Sequence, residues 1–462
     1  MDWSDPAYGG SIPSFVSLAQ IPVTRPSTTG AAQGQTINNP LYRYFFTTQQ
    51  RSQLPGNFAT FQYTTRDPGA VSATPTNRDT VVNDIMTTTF TGRRSTTYRL
   101  YSFPAFNTFA TQCESIHNNI HRYIGGEPNG LGHMRNADVA AFDPIFWLHH
   151  ANVDRLIAMY QAIYPDNRLT TFTPARATYG RVVPGVDGST DSLSTRLYPF
   201  RRPGSGTFYR GSDFVSGTTG IWSFGYGYPE IPCGPIPLPA PAAAQLSANV
   251  RTAVNRLYGP GGTATKRRRA PQNEDGFTPL ESEVAFERPE YNLRLFIDQA
   301  EIPGLWACYI FLGTVPNNTA NYATSSSLSG IVAPFTSRGA RMQSMLYTYD
   351  FCITDQLLEL DVSPDESAVS DYLKENLKYV IMSETGSNID PASLRTFKIG
   401  VCTSQGTYAE SGSDKLASYS ECKVLTQITE DKPGGVTTEY QLEVPVLLNG
   451  TAQNVTQKLE TY

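Results

Sequence analysis

Histidine is nearly absent from this 462-residue chain, and the few that occur are confined to one stretch. The sequence contains five histidines, all between positions 117 and 150. Such clustering needs a local cause. Coordination of a metal ion is the usual one, because imidazole is the commonest metal ligand among side chains. The rest of the chain cannot build a metal site from imidazole.

Three other shortages exclude whole classes of protein. The six cysteines are too few for a disulfide scaffold in a chain of this length. No apolar run approaches the roughly twenty residues of a membrane-spanning helix, and no signal-peptide pattern opens the chain. The formal net charge is only −5, so neither nucleic acid nor an anionic membrane is an expected partner. We expect a globular protein, with the cytoplasm as its default location.

The first histidine pair predicts two metal ligands on one helix. His117 and His121 are four residues apart, which places their side chains on the same helical face, one turn apart. Thr108 is positioned to cap the start of this helix, and Gly125 and Gly126 are expected to end it. Apolar residues recur every three or four positions along it, at Phe109, Cys113, Ile116, Ile120 and Ile124.

A second predicted helix would bring a third ligand to the same metal. Asp143 suits the N-cap and Pro144 the first turn, and the apolar pattern ends before Pro165. This helix carries His149 and His150. One of the two is expected to face the first pair.

Taken singly, these motifs have plainer interpretations. A lone H-x-x-x-H pair also occurs by chance, and His149 with His150 alone would be typical of one core and one surface histidine. The helix of zinc proteases has the same spacing, but it needs Glu directly after the first histidine as the general base. Asn118 occupies that position here, which excludes the zinc-protease interpretation.

The combined motifs are far more specific. They read H-N-N-I-H, then G-H-M, then F-D-P-I-F-W-L-H-H-A-N-V-D-R, all between Cys113 and Pro165. This stretch resembles the copper B half of a fungal tyrosinase, a polyphenol oxidase of the type 3 copper family. The segments D-W-S-D-P, N-P-L-Y-R-Y-F-F and F-G-Y-G-Y-P-E extend the resemblance over residues 2 to about 232. The resemblance implies copper as cofactor, with phenolic small molecules and dioxygen as substrates.

The resemblance also implies which residues bind copper. By position, His117, His121 and His150 are the copper B ligands. His149 is expected to stand behind them, orienting its neighbour or lining the site, and Asp154 to fix the helix at the metal. An Asp154–Arg155 structural pair is an equally good interpretation.

Further roles follow by position for the reaction. Glu114 and Asn118 would hold a water that removes the proton of the phenol, with Glu114 as the general base. Arg122 would steer a substrate carboxylate, although a surface arginine is an equally good interpretation. Ala137 would leave room for bulky phenols. His133 is expected to be structural or to lie at the rim rather than to bind metal.

The resemblance fails at one point. Relatives carry three further histidines, the copper A set, before the aspartate–tryptophan motif, whereas residues 1 to 105 of this sequence contain none. Five histidines cannot form a six-imidazole dicopper site. We expect a shortened tyrosinase, inactive as this chain alone. The alternatives are a non-catalytic half-protein, a mononuclear copper protein, a chain completed by a second chain that supplies copper A, and a haemocyanin-like oxygen carrier, which Ala137 disfavours.

Composition divides the chain into three parts. Residues 1–235 are predicted to form a mainly α-helical copper core with long loops, with the copper motif at 113–165. Residues 236–288 form a linker rich in Pro, Gly and basic residues, in which Arg269 ends a basic run that is either a solvated charge cluster or a protease cleavage site.

The third part, residues 289–462, alternates apolar and polar side chains in short runs and is predicted to be an all-β sandwich or barrel. The fold class is therefore α+β. By resemblance this domain is an inhibitory lid, with Tyr347, Tyr349 and Phe351 as candidates for an aromatic residue that fills the substrate position.

Overall fold

The computed structural model is an α+β protein in which helices precede two packed sheets along the chain. It describes residues 11–25, 33–126, 130–171, 191–214, 227–231, 240–260, 285–335, 346–410, 412–442, 446–448 and 451–453. Its α-helices are α1 (Ser14–Ser17), α2 (Thr48–Arg51), α3 (Asp79–Thr88), α4 (Phe90–Leu100), α5 (Phe106–Gly125), α6 (Pro144–Ile163), α7 (Ala240–Tyr258), α8 (Thr354–Glu359) and α9 (Glu366–Asn376).

Helix α5 carries the first histidine pair, and it ends where the sequence predicts. Its predicted apolar face is buried. Gly126 follows the last turn with φ at +87°, and a side chain there would collide with the Asp67 carboxylate, so glycine is required. The predicted start is wrong, because α5 begins at Phe106 and Thr108 caps nothing.

Helix α6 begins at the predicted cap. The Asp143 carboxylate accepts a hydrogen bond from the Ile145 backbone N–H at 3.1 Å, and Pro144 opens the first turn. Arg66 pairs with Asp143 at 2.9 Å, and both side chains are buried. Arg66 also donates to the Val16 carbonyl, so one buried guanidinium ties the N-terminal segment to the start of α6. The sequence analysis did not identify this pair.

The strands follow mostly after the helices. They are β1 (Gln20–Arg25), β2 (Gln33–Asn38), β3 (Arg196–Arg201), β4 (Phe208–Arg210), β5 (Phe286–Asp298), β6 (Trp306–Leu312), β7 (Leu328–Val332), β8 (Leu346–Cys352), β9 (Leu377–Ser383), β10 (Asn388–Ile389), β11 (Lys398–Tyr408), β12 (Ser418–Tyr419), β13 (Lys423–Val424), β14 (Val446–Leu448) and β15 (Thr451–Gln453). One sheet has the order β10-β9-β6-β7. A second has the order β12-β11-β5-β8, with β13 also on β11.

These two sheets pack face to face, as a sandwich requires. Alternate residues of β5, including Leu293, Leu295 and Ile297, share one buried cluster with alternate residues of β6, including Cys308 and Ile310. The period of two along each strand directs every second side chain into this core. The predicted β architecture is therefore present, with α8 and α9 as additions that the sequence analysis did not predict.

The other face of β6 packs on the helices. Tyr309 and Phe311 belong to a second buried cluster that contains Ile120 and Ile124 of α5. Every residue of β6 is buried, because one face meets the opposite sheet and the other meets the helical region. We call residues 285–335, 346–410 and 412–442 the sheet region. The sheet region therefore covers α5, the helix that carries the first histidine pair.

The segment predicted as a linker contains a helix. Residues 240–258 form α7, which packs on α6. Arg269 and its basic run lie outside the described residues, so the cleavage site stays a prediction. Among the described helices, none has the length and apolar character needed to cross a membrane.

Candidate metal centre

Three histidine side chains meet at one point between α5 and α6. The Nε2 atom of His117 lies 3.0 Å from that of His121 and 3.2 Å from that of His150. The third side of the triangle, from His121 to His150, is 3.3 Å. The helical spacing of four residues places the first two rings together, and α6 brings the third.

The hydrogen bonds on the far side of two rings fix their tautomers. His121 Nδ1 lies 2.7 Å from the Met134 carbonyl oxygen, which can only accept, so this nitrogen carries the proton. His117 Nδ1 lies 3.0 Å from the side-chain oxygen of Asn118. In both neutral rings Nε2 is therefore left with a free lone pair. The two lone pairs face each other across 3.0 Å with no hydrogen atom between them.

Burial keeps these rings uncharged. It lowers the pKa of His117 to about 4, with further contributions from His150 and Arg122. Burial likewise lowers the pKa of His150 to about 4 and holds that of His121 well below its usual value. Neutral imidazole is the form that binds metal. The site is therefore prepared for a cation at neutral pH without first having to lose protons.

The triangle fits a metal ion. A point equidistant from the three nitrogens lies about 1.8 Å from each, which is close to the roughly 2.0–2.1 Å of a metal–imidazole bond. His117, His121 and His150 could therefore together hold one ion. The facing lone pairs of His117 and His121 repel each other unless a cation lies between them, and the His150 nitrogen completes the triangle. Three imidazoles suit copper or zinc, and geometry alone does not choose between them.

His149 belongs to the cluster but faces a different partner. Candidate ligand atoms of all four histidines lie within 4.8 Å of one another. However, His149 Nε2 lies 3.1 Å from the His117 backbone carbonyl, so this nitrogen donates a hydrogen bond to α5. Its ring stacks on that of His117 with centroids 5.0 Å apart. Rather than orienting its neighbour His150, His149 joins α6 to the turn of α5 that carries a ligand.

Two phenylalanines line the metal centre. Phe146 stacks on the His150 ring at 3.9 Å, and Phe335 stacks on the His121 ring at 4.1 Å. Phe335 also meets the edge of His117 at 5.9 Å. It lies three residues beyond β7, in the sheet region. An aromatic side chain from that region therefore covers the histidines, as the sequence analysis expected.

Two of the three candidates predicted for that aromatic residue lie elsewhere, and Tyr347 stays a prediction. Tyr349 is buried and contacts Arg122, and Phe351 packs against Gly330 and the sandwich core. The side chain of Tyr347 lies outside the described residues. Phe335 was missed because it follows the strand in a loop, where no periodicity indicates the direction of a side chain.

Arg122 is not a surface residue. Its side chain is fully buried, and it donates to Asn119 at 2.8 Å and to the Tyr349 hydroxyl at 3.2 Å. Among the described residues no carboxylate pairs with it. The guanidinium is held under the sheet region in this arrangement, and its contact with a substrate carboxylate stays a prediction.

The remaining predicted residues occupy more exposed positions. Glu114 is exposed and lies one turn before His117, although the surrounding protein displaces enough water to raise the pKa of its carboxyl, which makes it a stronger base. Asp154 is also exposed, and no hydrogen bond from it to the described histidines is present. Its expected role at the metal is not supported. Ala137 is half-buried in the turn before α6, and its role stays a prediction.

Two residues have structural roles. Arg155 pairs with Glu230 at 2.6 Å rather than with Asp154, which corrects the predicted Asp–Arg pair. His133 is buried, accepts a hydrogen bond from the Thr65 backbone N–H at 3.1 Å and packs against Phe58. It lies outside the metal cluster of the described residues, as expected for a structural histidine.

Comparisons with known proteins agree with this site. The common central domain of tyrosinase matches residues 1–163, and the tyrosinase C-terminal domain matches residues 290–401. The tyrosinase of Neurospora crassa is 30% identical over 276 residues, covering 56% of this chain and 37% of that protein. The tyrosinase of Podospora anserina is 30% identical over 275 residues, covering 56% and 44%.

The fold agrees as well. Recombinant mushroom tyrosinase superposes with a TM-score of 0.67 at 20% identity, covering 88% of this chain and 72% of that one. The sequence match spans less than half the length of both curated relatives. With one family domain over the histidine helices and a second over the sandwich, the chain belongs to the tyrosinase family.

Proposed function

We propose that this chain binds one copper ion through His117, His121 and His150 and supplies one half of a dicopper site that oxidises phenols and o-diphenols to o-quinones. The observation that carries the proposal is the triangle of Nε2 atoms, with sides of 3.0 to 3.3 Å, between neutral imidazoles. The family supplies the choice of copper over zinc.

The second half of the site needs residues that this sequence does not contain. After the three ligands, only His133 and His149 remain, and both are engaged in structural contacts. A second copper ion with three more imidazoles would come from a second chain or from additional residues. We expect this chain alone to bind copper without turning over phenols.

The residues around the ligands have separable tasks. Copper, when bound, supplies the redox centre for dioxygen and the phenol. Asn118 is buried, and its side-chain oxygen accepts a hydrogen bond from His117 Nδ1, which fixes the orientation of that ring. The N–H groups of the Asn118 side chain are then left to hold a water. Glu114, one helical turn away with a raised pKa, accepts the phenol proton through that water.

The sheet region keeps the site closed. Phe335 stacks directly on a ligand ring, where it excludes a phenolic ring from the same surface and shields the histidines from water. Tyr349 covers Arg122, the guanidinium proposed to bind a substrate carboxylate. We propose that this arrangement is a latent state, and that the site opens when the sheet region moves or is removed.

Copper stoichiometry and turnover test the proposal together. The purified chain should bind one copper ion per molecule, measured by elemental analysis after dialysis. It should not oxidise tyrosine or catechol by itself. Two copper ions per chain with catechol turnover would show that the chain builds a complete site. The absence of bound copper would show instead that the chain is a non-catalytic relative.

A further inference from the structure

The molecule contains one disulfide among its described cysteines. Cys402 lies within β11 and is buried, whereas Cys422 is half-buried between β12 and β13. The bond closes a loop across a sequence separation of 20 residues. Cys113, Cys308 and Cys352 are buried free thiols. Among the described cysteines, the half-buried sulfur of Cys422 is therefore the one that a reagent in solution can reach, and it lies in the sheet region.

The segment inside this loop leaves its own sheet to contact the helices. The side-chain amide of Asn255, in α7, donates to the carbonyls of Ser413 at 2.8 Å and Lys415 at 2.9 Å. The backbone N–H of Ala417 donates to the hydroxyl of Tyr98, in α4, at 3.3 Å. That hydroxyl in turn donates to the Asn255 side-chain oxygen at 2.8 Å.

Aromatic packing strengthens the same contact. The Arg99 guanidinium lies 4.5 Å from the centre of the Tyr419 ring. Ala417 is buried in a cluster with apolar side chains of α4, α6 and α7. Residues 412–420 thus form a docking loop that joins the sheet region to two helices of the copper core.

Strand pairing holds this docking loop weakly. β12 pairs with β11 through only two residue pairs, and β13 does so through two more. Residues 409–410 and 412–417 lie outside any strand. A loop with so few ladder bonds depends on its covalent closure, since the cross-link removes many of the conformations open to a free segment.

We propose that the Cys402–Cys422 disulfide is a redox-responsive clamp, at which a dithiol reductant releases the docking loop from α4 and α7. A thiolate of the dithiol attacks the more exposed Cys422 sulfur, the S–S bond breaks, and Cys402 leaves as a thiolate that takes up a proton. The second thiol of the reductant then displaces Cys422 and forms the reductant's own disulfide. Two electrons and two protons pass from the dithiol to the protein.

The clamp acts at a different place from Phe335. Phe335 covers the histidines directly, whereas the docking loop grips α4 and α7. Reduction is therefore expected to release the docking loop from α4 and α7 without altering the triangle of histidine nitrogens. This inference does not depend on the metal or on the proposed reaction.

Hydrogen exchange of the folded chain tests the clamp. Dithiothreitol should make Cys402 and Cys422 available to an alkylating reagent, as read by peptide mass. Amide exchange should then accelerate at least about tenfold in residues 412–421 and in the C-terminal half of α7. Residues 306–312, in the fully buried β6, serve as the internal control and should not change.

Three results would overturn the proposal. The bond could resist dithiothreitol in the folded protein, or exchange at 412–421 could remain unchanged once both thiols are free. Faster exchange at β6 as well would show that the bond staples the whole sandwich. An Asn255→Ala variant provides a second measure, because it removes the docking contact with the disulfide intact. It should accelerate exchange at 412–418, and an unchanged rate would contradict the docking role.

Discussion

The helical region and the sheet region bury opposite kinds of residue at their centres. In the helical region His121, His149, Asn118 and Arg122 are all fully or almost fully buried. The core between the sheets is built instead from aliphatic and aromatic side chains of β5 and β6. Burying polar groups costs stability unless each finds a partner. The helical region bears that cost around three converging imidazole nitrogens, while the core between the sheets is apolar.

The difference has a consequence for the protein without metal. Three imidazole nitrogens converge in the helical region, and two of them face each other with lone pairs that a cation would stabilise. Nothing comparable is present among the described residues of the sandwich. The two regions should therefore respond differently to copper, to acid and to mutation.

Removing a ligand should have the largest effect. His121→Ala deletes one of three nitrogens and the bond to the Met134 carbonyl. Copper affinity, measured by competition with a chromophoric chelator, should fall at least about 100-fold. His133→Phe is the matched control, because it replaces a histidine outside the cluster, and it should retain one copper ion. Equal losses in both variants would contradict the ligand assignment.

Acid should destabilise the helical region of the metal-free protein. The pKa of His117 and that of His150 are lowered to about 4, whereas an unfolded chain titrates near 6.5. As pH falls from 6.5 towards 4, these histidines bind protons in the unfolded state but not in the folded state. The free energy of unfolding therefore declines over that window, by about a few kcal/mol in total. After correction for the intrinsic pH dependence of amide exchange, the opening constants of α5 and α6 should rise between pH 7 and pH 5, and that of β6 should not. An equal change in α5, α6 and β6 would contradict the prediction that acid acts on the helical region first.

The hydrogen bond from His149 should matter for the metal, although we predict that His149 does not bind the metal directly. His149→Leu removes the donor to the His117 carbonyl and should weaken copper binding about 10- to 100-fold. His149→Gln can still donate from a similar position and should recover most of that affinity. If both variants lose copper equally while their melting temperatures remain normal, His149 binds the metal itself.

Two phenylalanines of the sheet region offer a matched pair. Phe335→Ala should uncover the His121 ring and increase the affinity of the copper-loaded chain for a phenolic probe such as 4-nitrocatechol, by about tenfold or more. Phe351→Ala removes a ring that packs against Gly330 instead, and it should leave that affinity unchanged. Spectrophotometric titration measures both variants. Equal gains would mean that loosening of the sheet region, rather than Phe335, opens the site.

The smallest effect is expected at Arg122. Tyr349→Phe removes the hydroxyl that accepts from this guanidinium at 3.2 Å and donates to the Ala333 carbonyl at 3.0 Å. The free energy of unfolding should fall by about 1–2 kcal/mol, as is usual when a buried polar group loses its partner. Denaturant unfolding measures this change. No loss would show that the contact contributes nothing to the closed state.

The positions of the site residues were predictable from the sequence where the periodicity of a single helix determines them. The i, i+4 spacing places His117 beside His121 on any helix, and Asp143 followed by Pro144 marks the start of α6. The sequence therefore predicted that His117, His121 and His150 come together, and their assignment as ligands stays a prediction. The alternation of apolar and polar side chains in residues 289–462 likewise predicted strands, and β6 to β13 lie there.

Contacts between distant segments were not predictable. Phe335 reaches the histidines from a loop after β7, and Arg122 is buried only because Tyr349 lies over it. The donor Arg66 meets Asp143 across 77 positions of sequence. The tautomer of His121 depends on the Met134 carbonyl, and no pattern in the sequence specifies a backbone partner.

X-ray absorption at the copper edge tests the central claim most directly. The chain loaded with one equivalent of copper should show about three imidazole nitrogens near 2.0 Å. His117→Ala, His121→Ala and His150→Ala should each lose one of them, while His149→Gln keeps all three. A first shell that is unchanged by any of the three alanine substitutions, or one that loses a nitrogen in His149→Gln, would contradict the account.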